Sequence, residues 1–152
     1  LLKKIKRQLS FSIWKKHNND NEKFINLEKK NNQFYATVTI NNELELSLLV
    51  DTGASRTVIN KKSIKDFLIQ KGISLSTLKT QKFTVADGRS VKAYRYSQAI
   101  LQIEDLKIGK TPIYIMEEMD NHGLLGMDIL RFFDIKDGKL FLKYKENTEL
   151  DF

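Results

Sequence analysis

The residues best suited to chemistry lie together in one short turn, Asp51-Thr52-Gly53. The apolar run Leu48-Leu49-Val50 leads into this turn, and the run Thr57-Val58-Ile59 leads away from it. A carboxyl delivered by an apolar strand should be partly buried, where ionisation is costly unless a neighbour shares the proton or donates hydrogen bonds. The threonine supplies a hydroxyl, and the glycine permits close backbone approach. The pattern indicates acid–base chemistry at Asp51.

The longer string around this turn resembles the active-site loop of aspartic proteases, whose signature is Asp-Thr/Ser-Gly between hydrophobic strands. It reads Leu48-Leu49-Val50-Asp51-Thr52-Gly53-Ala54-Ser55-Arg56-Thr57-Val58-Ile59. The resemblance implies that Asp51 is the catalytic residue. It also implies a supporting role in the loop for the four residues that follow, which are Thr52, Gly53, Ala54 and Ser55. Thr52 hydroxyls would lock two such loops together, and Gly53 would contact the substrate backbone.

Peptide hydrolysis by carboxylates needs two of them. Carboxyls about 3 Å apart share one proton, so the ionised member can take a proton from water while the protonated member polarises the scissile carbonyl. This chain has one Asp-Thr-Gly and, at 152 residues, the length of a single domain. Asp51 is therefore expected to meet its own copy across a two-fold axis. That arrangement is the one found in retroviral-type proteases, the retropepsins.

A second segment resembles the hydrophobic-hydrophobic-Gly sequence that precedes the C-terminal helix of these proteases. It reads Gly123-Leu124-Leu125-Gly126-Met127-Asp128-Ile129-Leu130. The resemblance implies that Leu124, Leu125 and Gly126 form a pocket wall beneath the active-site loop. The helix is expected from about 128 to 133, with Asp128 as its N-cap. The two segments occur in the family's order, and the resemblance extends over about residues 33 to 144.

A hairpin is predicted between the two segments, from Lys82 to Val91. Asp-Gly is among the strongest two-residue hairpin turns, and the β-branched residues on either side favour strands. In retropepsins a hairpin in this place, the flap, closes over bound peptide. The resemblance therefore implies a substrate-binding role for Val85, Ala86, Asp87 and Gly88. An ordinary surface hairpin is the alternative.

Two positions depart from the viral pattern. Ser55 stands where many viral enzymes have a second aspartate, and Met127 stands where they have the arginine that pairs with it. The joint loss of both charges resembles cellular retropepsin-like proteases, particularly bacterial ones. In viral enzymes that ion pair contributes to the stability of the dimer and to the polarity of the substrate subsites. Its absence leaves both properties open for this chain. The Ser55 hydroxyl either binds substrate backbone or stabilises the turn.

Alternating apolar residues predict a mainly β domain. One strand is expected with Phe34, Ala36, Val38 and Ile40 on one face, and a turn at Asn41-Asn42 leads to a second strand at 44–50. More short strands follow, with a turn at Asp137-Gly138 and a helix near 61–71. The expected fold is a retropepsin-like closed β-barrel, one lobe per chain, with one or two short helices.

The chain is expected to divide into a basic extension or linker at 1–30, a protease domain at 31–146 and a tail at 147–152. The extension holds nine Lys or Arg against three Asp or Glu, so it carries most of the net charge of +7. Five of its apolar residues fall on one side of a helical projection, while Phe11 and Trp14 break the pattern; the five are Leu1, Leu2, Ile5, Leu9 and Ile13. Such a helix could lie on an anionic membrane surface, dock on a partner or pack on the domain; a solvated linker is the alternative.

Composition limits the expected cofactors and partners. There is no cysteine, and His17 and His122 are far apart, so no metal site and no other cofactor is expected. No apolar run is long enough to cross a bilayer, and no nucleic-acid reader motif follows the basic extension. The chain begins with leucine rather than methionine, which suggests an upstream segment. We expect a soluble domain, cytoplasmic or tethered by an upstream anchor.

The expected function is that of an aspartic endopeptidase, acting as a homodimer on peptide or protein substrates. One alternative is a catalytically silent module of the same fold that grips extended peptides by strand addition. Another alternative is an active protease that cleaves only its own chain, near the amino-terminal linker. Substitution of Asp51 should abolish cleavage in the first and third cases and leave peptide binding unchanged in the second.

Overall fold

The computed structural model of the chain describes residues 24–143. The predicted amphipathic helix of the extension and the predicted tail at 147–152 lie outside these residues. Within them the chain is built mainly from short strands, with two α-helices and one 3₁₀ turn at Leu75–Thr77. The prediction of a mainly β domain with short helices is confirmed.

The helices are α1 (Lys61–Gln70) and α2 (Met127–Leu130). The strands are β1 (Phe24–Asn26), β2 (Glu28–Lys30), β3 (Gln33–Ile40), β4 (Leu44–Val50), β5 (Val58–Asn60), β6 (Lys79–Thr84), β7 (Ser90–Tyr96), β8 (Ile100–Ile103), β9 (Leu106–Lys110), β10 (Ile113–Met116), β11 (Gly123–Leu125), β12 (Phe133–Lys136) and β13 (Lys139–Leu142).

Most of the strands belong to one hydrogen-bonded sheet, in the order β6-β7-β10-β5-β11-β4-β3-β8-β9, with β2 paired to β3. β11 runs parallel to β4 and antiparallel to β5, while β10 runs parallel to β5. A second sheet has the order β1-β13-β12. Because β4 and β11 are parallel neighbours, their carboxyl ends lie side by side, and the Asp51 turn begins there.

Three hairpin turns place two successive residues in the left-handed conformation. Two of them are two-residue turns, whereas the pairing of Ile40 with Leu44 leaves three residues, 41–43, between β3 and β4. The predicted turn at Asn41-Asn42 joins β3 to β4 with φ of 52° and 57°, and the predicted turn at Asp137-Gly138 joins β12 to β13 with 52° and 70°. Asn31-Asn32 joins β2 to β3 in the same way, with 51° and 63°. Positive φ at both positions defines the type I′ turn, which asparagine, aspartate and glycine favour.

The main core is formed by alternate residues of the strands and one face of α1. In β3 the buried residues run from Ala36 to Ile40 at every second position, as their alternation predicted. Helix α1 buries Ile64, Phe67 and Leu68, which lie three and four residues apart on one face. The Asn60 side chain caps this helix by accepting a hydrogen bond from the Lys62 amide at 3.0 Å.

A smaller cluster, here called the minor core, lies under the hairpin of β6 and β7. Its buried members are Val58, Ala93, Tyr114 and Met116. Phe83 packs against them, with its ring edge-on to that of Tyr114 at a centroid distance of 5.3 Å. The minor core therefore ties the hairpin to the strand that leaves the Asp51 turn.

The described ends of the chain meet in the second sheet. β1 pairs antiparallel with β13, so Phe24 lies opposite Phe141, and Ile25 is buried. The domain was expected to start at residue 31, but β1 and β2 precede that position and are paired with other strands. No helix among residues 24–143 is long and apolar enough to cross a membrane.

Candidate active site

Asp51 is the first residue after β4, at the edge of the parallel pair formed with β11. Its amide donates to the Leu125 carbonyl at 3.1 Å, which continues the register in which Leu125 pairs with Val50. The side chain is half-buried. Two strands therefore fix the backbone of Asp51, as expected for a carboxyl that must be held in one place.

The turn after Asp51 folds back onto its carboxylate. The Gly53 amide donates to Asp51 Oδ1 at 2.9 Å, and the Ala54 amide donates to the Asp51 carbonyl at 3.2 Å. A Cβ at residue 53 would lie 3.2 Å from the same Oδ1, which is closer than most such contacts. The glycine therefore leaves room for the backbone amide that holds the Asp51 carboxylate in place.

The hydroxyls of Thr52 and Ser55 take no part in the hydrogen bonding of the loop. Thr52 and Ser55 are both exposed, and within residues 24–143 neither hydroxyl makes a hydrogen bond. The structure thus gives no support to a turn-stabilising role for Ser55. Both hydroxyls are accessible to groups from outside the described chain, and Ala54 lies half-buried between them.

A buried polar network, missed from the sequence, holds the far end of the loop. Thr57 is fully buried, and its amide and hydroxyl donate to the two carboxylate oxygens of Asp128 at 3.0 and 2.8 Å. The Thr57 hydroxyl in turn accepts from the Gly126 amide at 3.2 Å. These bonds join the segment after Asp51 to the start of α2, so the two sequence motifs are physically locked together.

The prediction that Asp128 caps α2 was wrong. Gly126 is the N-cap residue and makes no side-chain capping bond, while Asp128 lies in the first turn. Both oxygens of Asp128 are occupied by Thr57, which is 71 residues away in the chain. The only signal in the sequence is a threonine directly before the apolar pair Val58-Ile59.

Gly126 packs against the backbone of the active-site loop. A Cβ at this position would lie 2.4 Å from the Arg56 carbonyl oxygen and 2.9 Å from that of Ala54. The next amide, of Met127, donates to the Ala54 carbonyl at 2.8 Å. Only a residue without a side chain fits here.

Of the two leucines predicted for the pocket wall, one faces the groove. Leu124 is half-buried and lines it, whereas Leu125 is fully buried in the main core. Successive side chains of a strand point to opposite faces, so β11 cannot present both to the same space. The assignment of Leu125 to the pocket wall was therefore wrong, and Gly126 contributes backbone packing beneath the loop.

The predicted hairpin is present between β6 and β7, with a longer turn than expected. The Val85 amide donates to the Arg89 carbonyl and the Gly88 amide to the Val85 carbonyl, both at 2.9 Å. This leaves a three-residue loop, Ala86 to Gly88, in which Gly88 alone has a positive φ, of 89°. Hairpin loops of three residues commonly end in a glycine with left-handed conformation, and this loop is of that type. The prediction of a two-residue Asp-Gly turn was therefore wrong.

Asp87 closes the hairpin loop through Arg89. Its carboxylate accepts from the Arg89 amide at 3.0 Å and from the Arg89 Nε at 2.7 Å. These hydrogen bonds, and the arginine's charge, hold the pKa of Asp87 below its usual value. The loop is thereby shaped by its own residues, and Asp87 and Gly88 lie outside the groove lining.

A groove of about 410 Å³ separates the active-site loop from the hairpin. One side is the loop, one side is the hairpin and the floor is the minor core. Its lining residues are Asp51, Gly53, Ala54, Arg56, Val58, Phe83, Thr84, Val85, Ala86, Met116 and Leu124. Arg56, Phe83 and Met116 were not predicted as site residues. The groove is the size of an ordinary ligand site and is mostly apolar, with one carboxylate and one guanidinium.

The charged groups of the groove define its chemistry. Asp51 supplies one carboxylate that can accept a proton from water, and no second carboxylate lines the groove within residues 24–143. Peptide hydrolysis by this route needs a second carboxyl to polarise the carbonyl. No group of three metal-ligating side chains occurs among the described residues either.

Comparisons with known proteins agree with this geometry. Residues 36–132 match the family described as "gag-polyprotein putative aspartyl protease". A crystal structure of a retropepsin-like aspartic protease from Rickettsia conorii is similar to the chain, with a TM-score of 0.60 and 25% sequence identity. The similarity covers 80% of this chain and 89% of that one. No curated protein sequence matches the chain.

The family match spans both motifs, from the middle of β3 to the residue before β12. It contains Asp51, the hairpin and the Gly126 contact, which are the features that form the groove. The fold of the structural neighbour is the one built here around them. The chain belongs to the retropepsin-like aspartic protease family.

Proposed function

We propose that the chain is an aspartic endopeptidase whose active site forms between two copies. The observation that carries this proposal is the groove: it holds one Asp51 carboxylate, ordered by the Gly53 amide, and no second acid from residues 24–143. A second copy, related by a two-fold axis, supplies the missing carboxyl as its own Asp51. The two carboxyls then share a proton and activate water.

The loop residues fit distinct roles in such a dimer. The exposed Thr52 hydroxyl is free to bond across the axis, and Gly53 leaves room for the substrate backbone. Ser55 offers a second exposed hydroxyl to the bound peptide. Val85 and Ala86 cover the groove from the hairpin side and act as the flap, with Asp87 and Gly88 shaping its tip.

The groove suits an extended segment of polypeptide. Its floor and walls are apolar at Val58, Phe83, Met116 and Leu124, and its upper edge is a strand hairpin. Apolar side chains of a peptide can enter the floor while its backbone lies between loop and hairpin. Peptides and protein segments without fixed structure are therefore the proposed substrates.

Cleavage of a diverse peptide mixture between about pH 4 and 8, read by mass spectrometry, tests the proposal. Asp51→Asn removes the carboxylate while keeping the shape of the side chain, and all cleavage should disappear with it. Asp66→Asn is the matched control, because Asp66 is an exposed aspartate on α1, outside the groove lining. Equal cleavage by the wild type and Asp51→Asn would refute the proposal that the chain is an aspartic endopeptidase. Unchanged peptide binding without any cleavage would favour the silent binding module.

Mixing the two chains tests the shared dyad. A mixed dimer has one Asp51 and is inactive, so random exchange makes cleavage per wild-type chain proportional to the wild-type fraction. Relative to the wild type alone, we expect the activity per wild-type chain to fall to about half in an equimolar mixture. With a ninefold excess of Asp51→Asn chains it should fall to about one tenth. Activity that does not fall on mixing would show that one chain carries a complete site.

Self-processing is a further part of the proposal. The segment before Phe24 joins the domain at β1, whose Ile25 is buried, so cleavage upstream of Phe24 would leave both sheets intact. Time-dependent trimming there should occur in the wild type and be absent in Asp51→Asn. Trimming at the same rate in both proteins would point to a contaminating protease.

A further inference from the structure

A second, smaller pocket lies beside the catalytic groove and is rich in arginine. It has a volume of about 160 Å³, and three arginines line it: Arg56, Arg95 and Arg131. They come from three separate parts of the chain, the active-site loop, β7 and the residue after α2. The fold therefore brings together charges that the sequence keeps far apart.

The one acid in this pocket, Asp128, leaves much of the positive charge uncompensated. Both of its carboxylate oxygens accept hydrogen bonds from Thr57, at 2.8 and 3.0 Å. Among residues 24–143, Arg56 and Arg95 form no salt bridge with it or with any other carboxylate. Arg56 and Arg95 together bring two positive charges against the one carboxylate of Asp128, so this part of the pocket is cationic, and arginine is the side chain best suited to hold an anionic group.

The arginine pocket and the groove share a wall. Arg56 lines both of them. Tyr114 lines the pocket and meets Phe83 of the groove edge-on at 5.3 Å. Arg95 lies directly opposite Tyr114 in the β7–β10 register, which fixes it on the same face. A side chain of a peptide lying in the groove can therefore extend past Arg56 toward Arg95.

We propose that this pocket binds a carboxylate side chain of the substrate, so that the enzyme prefers segments with a glutamate or aspartate next to otherwise apolar residues. The proposal rests on the proposed function, because it takes the groove to hold the peptide. Arg56 is the only cation of the groove lining within residues 24–143, and Asp51 is the only anion. An acidic group is drawn to the arginine side of the groove and kept away from the dyad.

Equilibrium binding to the Asp51→Asn protein tests this specificity without needing catalysis. The probes are short apolar peptides carrying one glutamate at each position in turn, each matched to a peptide with glutamine there. At the best position the glutamate peptide should bind about tenfold more tightly at low salt. The ratio should approach one at about 1 M salt, where exposed charges are screened. Equal binding of all matched pairs at low salt would overturn the proposal.

Variants locate the effect in the pocket. Arg95 lines the pocket but not the groove, and Arg95→Gln should lower the ratio of glutamate-peptide to glutamine-peptide affinity several-fold. Lys136→Gln removes the same charge from an exposed position on β12 and should leave the ratio at its wild-type value. Equal losses in the two variants would mean that only the overall charge matters, which also overturns the proposal.

Cleavage by the wild type separates this idea from the proposed function. Asp51-dependent cleavage with no preference for glutamate would leave the endopeptidase standing and refute the arginine pocket. Tighter binding of glutamate peptides, lost in Arg95→Gln, with no cleavage at any pH would support the pocket and refute the endopeptidase. Preference for phosphoserine over glutamate at the same position would overturn the carboxylate assignment.

Discussion

The Thr57 network offers the sharpest test of how the active-site loop is held. Thr57→Val keeps the shape of a fully buried side chain and removes its hydroxyl. Asp128 then loses the donor at 2.8 Å, and the buried Gly126 amide loses its acceptor at 3.2 Å. The first loss is of a bond to a charged group, and the second leaves an unsatisfied donor.

The size of the effect follows from these two losses. A hydrogen bond to a charged group contributes about 1.5–3 kcal/mol, and an unsatisfied buried amide costs about 1–3 kcal/mol. Valine recovers part of this through its extra apolar surface, so we expect a net loss of about 3 kcal/mol in the free energy of unfolding. For a domain of this size that corresponds to a melting temperature about 10 °C lower.

Thermal and urea unfolding at one fixed protein concentration would measure the change, because the stability of any self-associating protein varies with concentration. Thr57→Ser keeps the hydroxyl and should lose only about 1 kcal/mol, for the missing methyl group. Thr39→Val is the matched control, because Thr39 is half-buried on β3 and should change stability by less than about 0.5 kcal/mol. A loss below about 0.5 kcal/mol in Thr57→Val, or equal losses with serine and valine, would refute the reasoning.

Three further predictions concern stability. Gly126→Ala places a Cβ 2.4 Å from a backbone oxygen and should lower the free energy of unfolding by about 3 kcal/mol. The control Gly72→Ala, whose new Cβ meets open space, should lower it by about 1 kcal/mol. Equal losses in urea unfolding would contradict this prediction. Burial, and then the charge of the adjacent aspartate, raise the pKa of Glu104, so its stabilising contribution is present below about pH 4 and lost as pH rises through the raised pKa. Glu104→Gln should therefore raise the melting temperature at pH 7 and leave it unchanged near pH 3.5. Leu125→Ala should lower the free energy of unfolding by about 2–5 kcal/mol, whereas Leu124→Ala should chiefly raise KM for peptides. The opposite pattern would mean that Leu125, and not Leu124, faces the groove.

The parts of this site that the sequence predicts are those set by neighbouring residues. The apolar strand that delivers Asp51 and the Asn41-Asn42 turn each depend on a few consecutive side chains, and both are present. Their geometry follows from local backbone preferences, which a single sequence records.

One error arose where a distant residue competed with a local rule, and another where local contacts favoured a different turn. Asp128 has the right position for a cap, but Thr57 donates to both of its oxygens from across the fold. Asp87-Gly88 has the composition of a two-residue turn, yet only Gly88 takes a positive φ there. The arginine pocket gave no signal at all, because its three charges are brought together by strand order and not by spacing along the chain.

The pairing of Phe24 with Phe141 has a consequence for how the domain can be joined to other polypeptide. Chain enters and leaves the described fold at adjacent points of one small sheet, so a short bridge could close it into a ring. New ends could then be opened at the Asn41-Asn42 turn, with the strand pairing and the Asp51 turn unchanged. Because both ends of the described fold lie side by side, the domain can be inserted into a surface loop of a host protein with little change in the separation of that loop's ends.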